Sequence, residues 1–317
     1  MKRFFFRSDG RLRVVCRLLL FAVIFGVVTT ALMYLVRAAL CGIPQLFTQH
    51  LVALALGATI AVYLARRFID KRDMTSLGIM RVGAVSDVVV GTLISVAMMI
   101  AFVLVSWMLG YARLVGYSWW NPDRALSDSF TSVSAWALFG IFVTLCAVAW
   151  WEELVMRGYL IANVADAWGI KVAVIADCAI FGIAHAFNSN ASILSITIIA
   201  ITTIQLIYAY LKSRALWLPV GIHLGWNFTQ GSIFGFGDSG ASQPSLLIFE
   251  PVGPDWLSGG QFGPEGSVFL VPLTAATLVV IYWWCKRSAA VNERPDLVAM
   301  WVDETIPADE HGQSIAG

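Results

Sequence analysis

Runs of about twenty apolar residues, repeated along the chain, constrain its fold more than any other feature. A bilayer core about 30 Å thick is crossed by roughly 20 residues of helix, and inside it the backbone must satisfy its own hydrogen bonds. Seven runs come near that length: Leu18 to Val36, Phe47 to Ala65, Val88 to Leu109, Val133 to Trp151, Val172 to Phe187, Ile193 to Leu211 and Val268 to Cys285. An eighth, Ala215 to Phe228, is shorter and carries Pro219 and several glycines. It reads as a spanning or half-spanning helix, loosened by Pro219 and Gly221, that lines a cavity inside the protein. The expected fold is therefore all-α, a polytopic transmembrane bundle of eight spans. Composition agrees: of 317 residues, 59% are hydrophobic and 13% charged, about half the charged share of a soluble domain.

The net charge of +1 leaves no basic surplus for a nucleic-acid partner. Lys and Arg instead orient the chain, because cytoplasmic loops keep the positive charges. With the N-terminus inside, only Arg37, Arg113 and Arg124 of the 21 basic residues fall outside. Both termini are then cytoplasmic. The segments are a basic arm (1–17), helices one to three with their loops (18–132), a core of helices four to seven (133–230), an external loop (231–267), helix eight (268–285) and a loosely ordered cytoplasmic tail (286–317). The first apolar run is too long for a signal-peptide core and reads as an uncleaved span. The expected location is a multi-pass membrane protein of a bacterial cell membrane, in contact with lipid. Five scattered cysteines without a C-x-x-C pair read as small core residues.

Ionisable residues are costly in hydrocarbon, so those inside spans are functional candidates. They concentrate in the core: Glu152, Glu153 and Arg157 in W-W-E-E-L-V-M-R-G-Y, then Asp177, then His185 in F-G-I-A-H, then His223 and Asn227 in H-L-G-W-N. At 100° per residue Arg157 lies about 40° from Glu153 and about 140° from Glu152. Glu153 and Arg157 form an i, i+4 pair, which leaves Glu152 free to act as a base. The plainer role for this cluster is a structural ion pair joining two helices.

Depth favours a site. With a turn near Gly169, both Glu153 and His185 lie 16 residues from it, one on each arm of a helical hairpin, and should meet at one level. Asn227 follows His223 at i+4, so an imidazole and a carboxamide project together, as two donors to an oxyanion would. The plainer alternative is a polar clamp between helices. His50 reads as an ordinary satisfied core residue, and His311 lies in the tail.

In order, E-E-x-x-x-R, F-x-x-x-H and H-x-x-x-N on successive apolar segments resemble the motifs of the CAAX protease and bacteriocin-processing family of intramembrane endopeptidases. The matching residues are Glu152, Glu153 and Arg157, Phe181 and His185, and His223 and Asn227. The resemblance covers roughly residues 133 to 230. It implies that Glu152 activates a water, His185 orients it, His223 and Asn227 stabilise the oxyanion, and Glu153, Arg157 and Phe181 support the site. No cofactor is required by this mechanism. A zinc variant would take Glu152, His185 and His223 as ligands. The implied substrate is a lipidated or membrane-anchored peptide or protein. The chain ends in S-I-A-G, so it is not expected to be a prenylation substrate itself.

Two other signatures compete. Gly235-Phe236-Gly237-Asp238-Ser239-Gly240 imitates G-x-G-D, with Asp177 as partner, and also G-x-S-G. Both need a residue at the buried end of a helix, whereas this stretch is expected in an external turn. A non-enzymatic transporter or immunity scaffold, with the buried charges as a proton relay, is the alternative of a different class.

Overall fold

The computed structural model describes residues 5–7, 10–39, 48–118 and 134–301. Arg124, Cys41 and His311 lie outside the described residues. The chain is mostly helical: α1 (Val14–Ala39), α2 (Thr48–Leu64), α3 (Ala84–Met108), α4 (Ala135–Glu153), α5 (Ile161–Ala184), α6 (Ile193–Ser213), α7 (Trp217–Asn227), α8 (Leu270–Arg287), α9 (Ala289–Glu293) and α10 (Leu297–Trp301). Five stretches are long and apolar enough to cross a membrane: Val14–Ala38, His50–Ile69, Ala84–Met108, Ala135–Phe187 and Ile193–Ser213. The fourth is a hairpin, because Gly169 breaks the helix with φ 82° and ψ 162°, a region open to glycine for want of a Cβ. Short α7 and the polar-ended α8 complete the bundle.

Three expectations need correction. The mostly helical fold also carries one small sheet that was not expected, in which β1 (Ala112–Tyr117) pairs antiparallel with β2 (Leu247–Pro251). These strands belong to two connections far apart in sequence, so no local pattern announces their pairing. The tail is folded through Trp301: Arg294 is buried against Asp87 at 2.6 Å, and the Trp301 indole is buried with Nε1 donating to the Ser76 carbonyl at 2.6 Å. The buried partners supply what a polar segment lacks in apolar surface. Pro219, finally, does not loosen α7. It sits in the first turn, where a missing N–H leaves no intrahelical bond unmade.

The glycines of α7 serve packing. A Cβ on Gly221 would lie 2.3 Å from the Val88 carbonyl oxygen, and one on Gly225 2.7 Å from that of Thr92, while Gly91 of α3 returns the contact against Leu218. This is the small-x-x-x-small approach of membrane helices. Ser95 and Thr92 hydroxyls then donate to the carbonyls of Ile222 and Gly221. With Gly221 and Gly225 against α3, His223 and Asn227 are turned about 200° and 240° away from Gly221, toward α4.

One end of the bundle gathers the basic residues. Asp166, near the hairpin tip, meets Arg7 at 3.0 Å, Arg17 at 2.7 Å, Arg72 at 3.6 Å and Arg11 at 3.7 Å. Asp70 meets Arg66 at 3.0 Å and Arg17 at 3.7 Å. Arg72 also donates to the carbonyls of Met300 and Trp301, and Arg214 to that of Arg294. The described part of the basic arm is thus docked, and α1 begins inside it at Val14. The opposite end carries the β1–β2 pair and the 234–267 segment.

Candidate active site

α4 ends on Glu153, and Leu154–Leu160 winds as a π-helix before α5 begins. Within that wide turn Arg157 Nη1 still reaches Glu153 Oε1 at 3.1 Å, and its Nε lies 3.4 Å from Asp177 Oδ2 across the hairpin. Glu153, Arg157 and Asp177 are fully buried. The Arg157 guanidinium also lies over the Phe181 ring, 4.3 Å from its centroid. A buried cation is held in this way by two carboxylates and one aromatic face.

Glu153 has a second task. Its Oε1 accepts from His223 Nδ1 at 2.8 Å, so the ring presents Nε2 on its other side. There Glu152 Oε2 lies 3.8 Å away. That gap exceeds a hydrogen bond and leaves room for an oxygen atom to intervene. Phe181 stands edge-on to His223, centroids 6.4 Å apart, and packs against His185 at 4.7 Å. His185 Nδ1 donates to the Phe181 carbonyl at 2.8 Å, which turns Nε2 to the opposite side of the ring.

Glu152, His185, His223 and Asn227 all line one cavity of about 690 Å³. Glu152 is 17% exposed, whereas its neighbour Glu153 is sealed off. The cavity continues along α4 past Val148, Leu145, Thr144, Ile141 and Gly140 to Trp136, a trough about 24 Å long at 1.5 Å per residue. Met98 of α3 and Ile199, Thr202 and Leu206 of α6 form other walls. Among the described residues no three His, Cys, Asp or Glu side chains are grouped so as to hold a metal ion. As placed, Glu152, His185 and His223 share a cavity without forming a ligand set.

The Gly235–Gly240 stretch is a turn, closed by an Asp238–Ala241 bridge, but it is not remote from the site. Asp238, Ser239, Gln243 and Glu265 line the same cavity. Glu265 fixes the segment there: Oε2 accepts from the Ser239 backbone at 2.8 Å and hydroxyl at 2.5 Å, and Oε1 from Trp226 Nε1 at 3.0 Å. Asp238 accepts from Gln230 at 3.1 Å. Burial, and then the neighbouring Glu265 carboxylate, push the Asp238 carboxyl well above the ordinary carboxylate range. Sequence reasoning placed these side chains in solvent. The available signal was four acids in a loop without Lys or Arg, too many for a linker to leave unpaired. Asp177, the partner that a two-aspartate site would need, is bound to Arg157 instead.

Comparison with known proteins supplies an independent finding. Residues 134–229 match the model of the type II CAAX prenyl endopeptidase Rce1-like family. The matched region begins one residue before α4 and ends just past Asn227, so it holds all the motif residues. Helices α1 to α3, the 234–267 segment and α8 lie outside it. No curated protein and no solved structure matches the chain. The chain thus resembles an intramembrane-peptidase family over less than a third of its length, and its apolar helices are those of an integral membrane protein.

Proposed function

We propose that the chain is an intramembrane endopeptidase that hydrolyses a peptide bond of a lipidated or membrane-anchored polypeptide with a glutamate-activated water. The observation that carries this reading is the pair of faces on His223: Nδ1 held by buried Glu153 at 2.8 Å, and Nε2 opposite Glu152 at 3.8 Å on the cavity wall. A water beside Glu152 loses a proton to that carboxylate and its oxygen attacks the substrate carbonyl carbon. His185 Nε2 accepts from the same water and sets its direction. His223 carries a proton on each ring nitrogen, one held by Glu153, so that Nε2–H and the Asn227 amide donate to the oxyanion. On collapse the C–N bond breaks and Glu152 delivers its proton to the leaving amine. The trough along α4 suits the apolar part of a substrate, and the name of the matched family supports an endopeptidase activity. No metal takes part in this scheme.

Gathering of the four side chains around one cavity favours hydrolysis over a proton relay, which would string them out along the membrane normal. Eight spans with both termini in the bacterial cytoplasm complete the proposal. The basic end described above supports that orientation. The test is cleavage of a fluorogenic lipidated peptide by purified wild type and Glu152→Ala, each with and without a chelator. Loss of cleavage in the variant and none with chelator is expected. Full activity in Glu152→Ala refutes the base, and loss with chelator refutes the metal-free scheme.

A further inference from the structure

The charges and the cavity occupy opposite ends of the molecule. Asp166 and Asp70 bind the arginines of the N-terminal arm and of the α2–α3 connection, and Arg294 ties the C-terminal segment to Asp87 and to the Ser213 carbonyl. α7 starts at this end, since the Leu216 N–H donates to the Gly78 carbonyl and Trp217 Nε1 to that of Met80. Along α7 away from it come His223, about 9 Å on, and Asn227, about 15 Å on. Beyond them the 234–267 segment folds over the far end. Its Gly240, at φ 86°, sits so close to the Ser189 carbonyl of the α5–α6 turn that a Cβ would lie 1.9 Å from that oxygen. The far-end rim of the cavity is built from this segment, where Ala241 and Ser242 are exposed, and from the first turn of α4, where Trp136 is 80% exposed.

Positive charge marks the cytoplasmic face of a bilayer. The far end bears Arg37 and Arg113 against Asp238, Glu250, Asp255 and Glu265 among the described residues. We infer that the cavity is reached from the extracytoplasmic side. The substrate class follows: polypeptides whose scissile bond lies on the outer surface or in the outer leaflet, such as secreted or externally anchored chains, and not a C-terminal motif displayed in the cytoplasm. The substrate statement rests on the proteolytic reading above, whereas the direction of access stands on charge and geometry alone.

Cysteine labelling separates the two. In a chain with its native cysteines replaced by serine, Ser242→Cys would sit on the exposed cavity rim and Asn292→Cys on an exposed face of the basic end. A membrane-impermeant maleimide applied to intact spheroplasts should label Ser242→Cys, and should label Asn292→Cys only after permeabilisation. The reverse pattern overturns the inference. Should the cysteine-free protein fail to fold, the unaltered chain with a C-terminal fluorescent protein or alkaline phosphatase answers the same question. Fluorescence supports it and phosphatase activity overturns it. Neither readout depends on proteolysis, so an inactive protein with the expected labelling would refute the protease reading and leave the direction of access intact.

Discussion

Glu153→Gln tests whether the buried carboxylate positions His223 or merely pairs with Arg157. In the wild type Glu153 Oε1 accepts from both His223 Nδ1 at 2.8 Å and Arg157 Nη1 at 3.1 Å. A glutamine has one accepting oxygen, which the permanently charged guanidinium will hold. Its NH2 then faces Nδ1, so the ring gives up the Nδ1 proton and keeps the one on Nε2. Donation toward the cavity survives, but without an anion behind the ring. A charge-assisted hydrogen bond contributes about 1.5–3 kcal/mol and a neutral one about 0.5–1.5. The difference, about 1–2 kcal/mol, corresponds to a loss of about 5- to 30-fold in kcat/KM. The assay is steady-state cleavage of a fluorogenic lipidated peptide in four proteins: wild type, Glu153→Gln, His223→Ala and the double variant. Since Glu153 acts through His223, the double variant should be no more than about two-fold slower than His223→Ala. An undiminished 5- to 30-fold loss on the His223→Ala background would show that Glu153 acts elsewhere. So would wild-type activity in Glu153→Gln with an unchanged melting temperature.

Other outcomes follow from the same geometry. Glu152→Gln should lower kcat by about 10²–10⁴ with little change in KM, because a general base is used only in the transition state; single-turnover kinetics measure it. Gly221→Val should destabilise the bundle by about 1–3 kcal/mol, as for overpacking, since the new Cβ meets the Val88 carbonyl oxygen at 2.3 Å; thermal unfolding in detergent reads it. Trp301→Ala should cost about 3–5 kcal/mol by emptying the site at which the C-terminal segment docks. Asp238 binds its proton more tightly in the folded chain than in the unfolded one. Stability should therefore fall as pH rises from the ordinary carboxylate range through the raised one. Asp238→Asn should flatten that slope in melting temperatures taken from pH 4 to pH 8, and an unchanged slope would remove the buried acid from the account.

Sequence periodicity shows what local geometry controls. The Glu153–Arg157 pair follows from helical spacing, and the turn at Gly169 from one glycine between two apolar runs. What periodicity cannot carry is contact between distant segments. A reading by spans sorts the 231–267 stretch outside and treats outside as water, yet Glu265 holds Ser239 and Trp226 and brings Asp238 to the cavity. Pro219 and its neighbouring glycines look like breakage until α3 is seen to lie against them. The role of Glu153 was half visible: its arginine is one turn away, but its histidine is 70 residues distant.

The π-helical segments give the site an unusual tolerance. Leu154–Leu160 follows Glu153 directly, and Phe228–Ile233 follows Asn227. A π turn holds one residue more than an α turn needs, so losing a single amino acid there lets the ladder snap back to ordinary winding at almost constant length. Deleting Val155 would leave a continuous hydrophobic rod whose faces on either side stay in register, with Glu152 still turned to the cavity. Loss of one residue from the regular part of α4, such as Thr144, has no bulge to absorb it. Trp136 and Ile141 would then turn by about 100° relative to Glu152, and the trough would lose its wall while the helix kept its place in the bilayer.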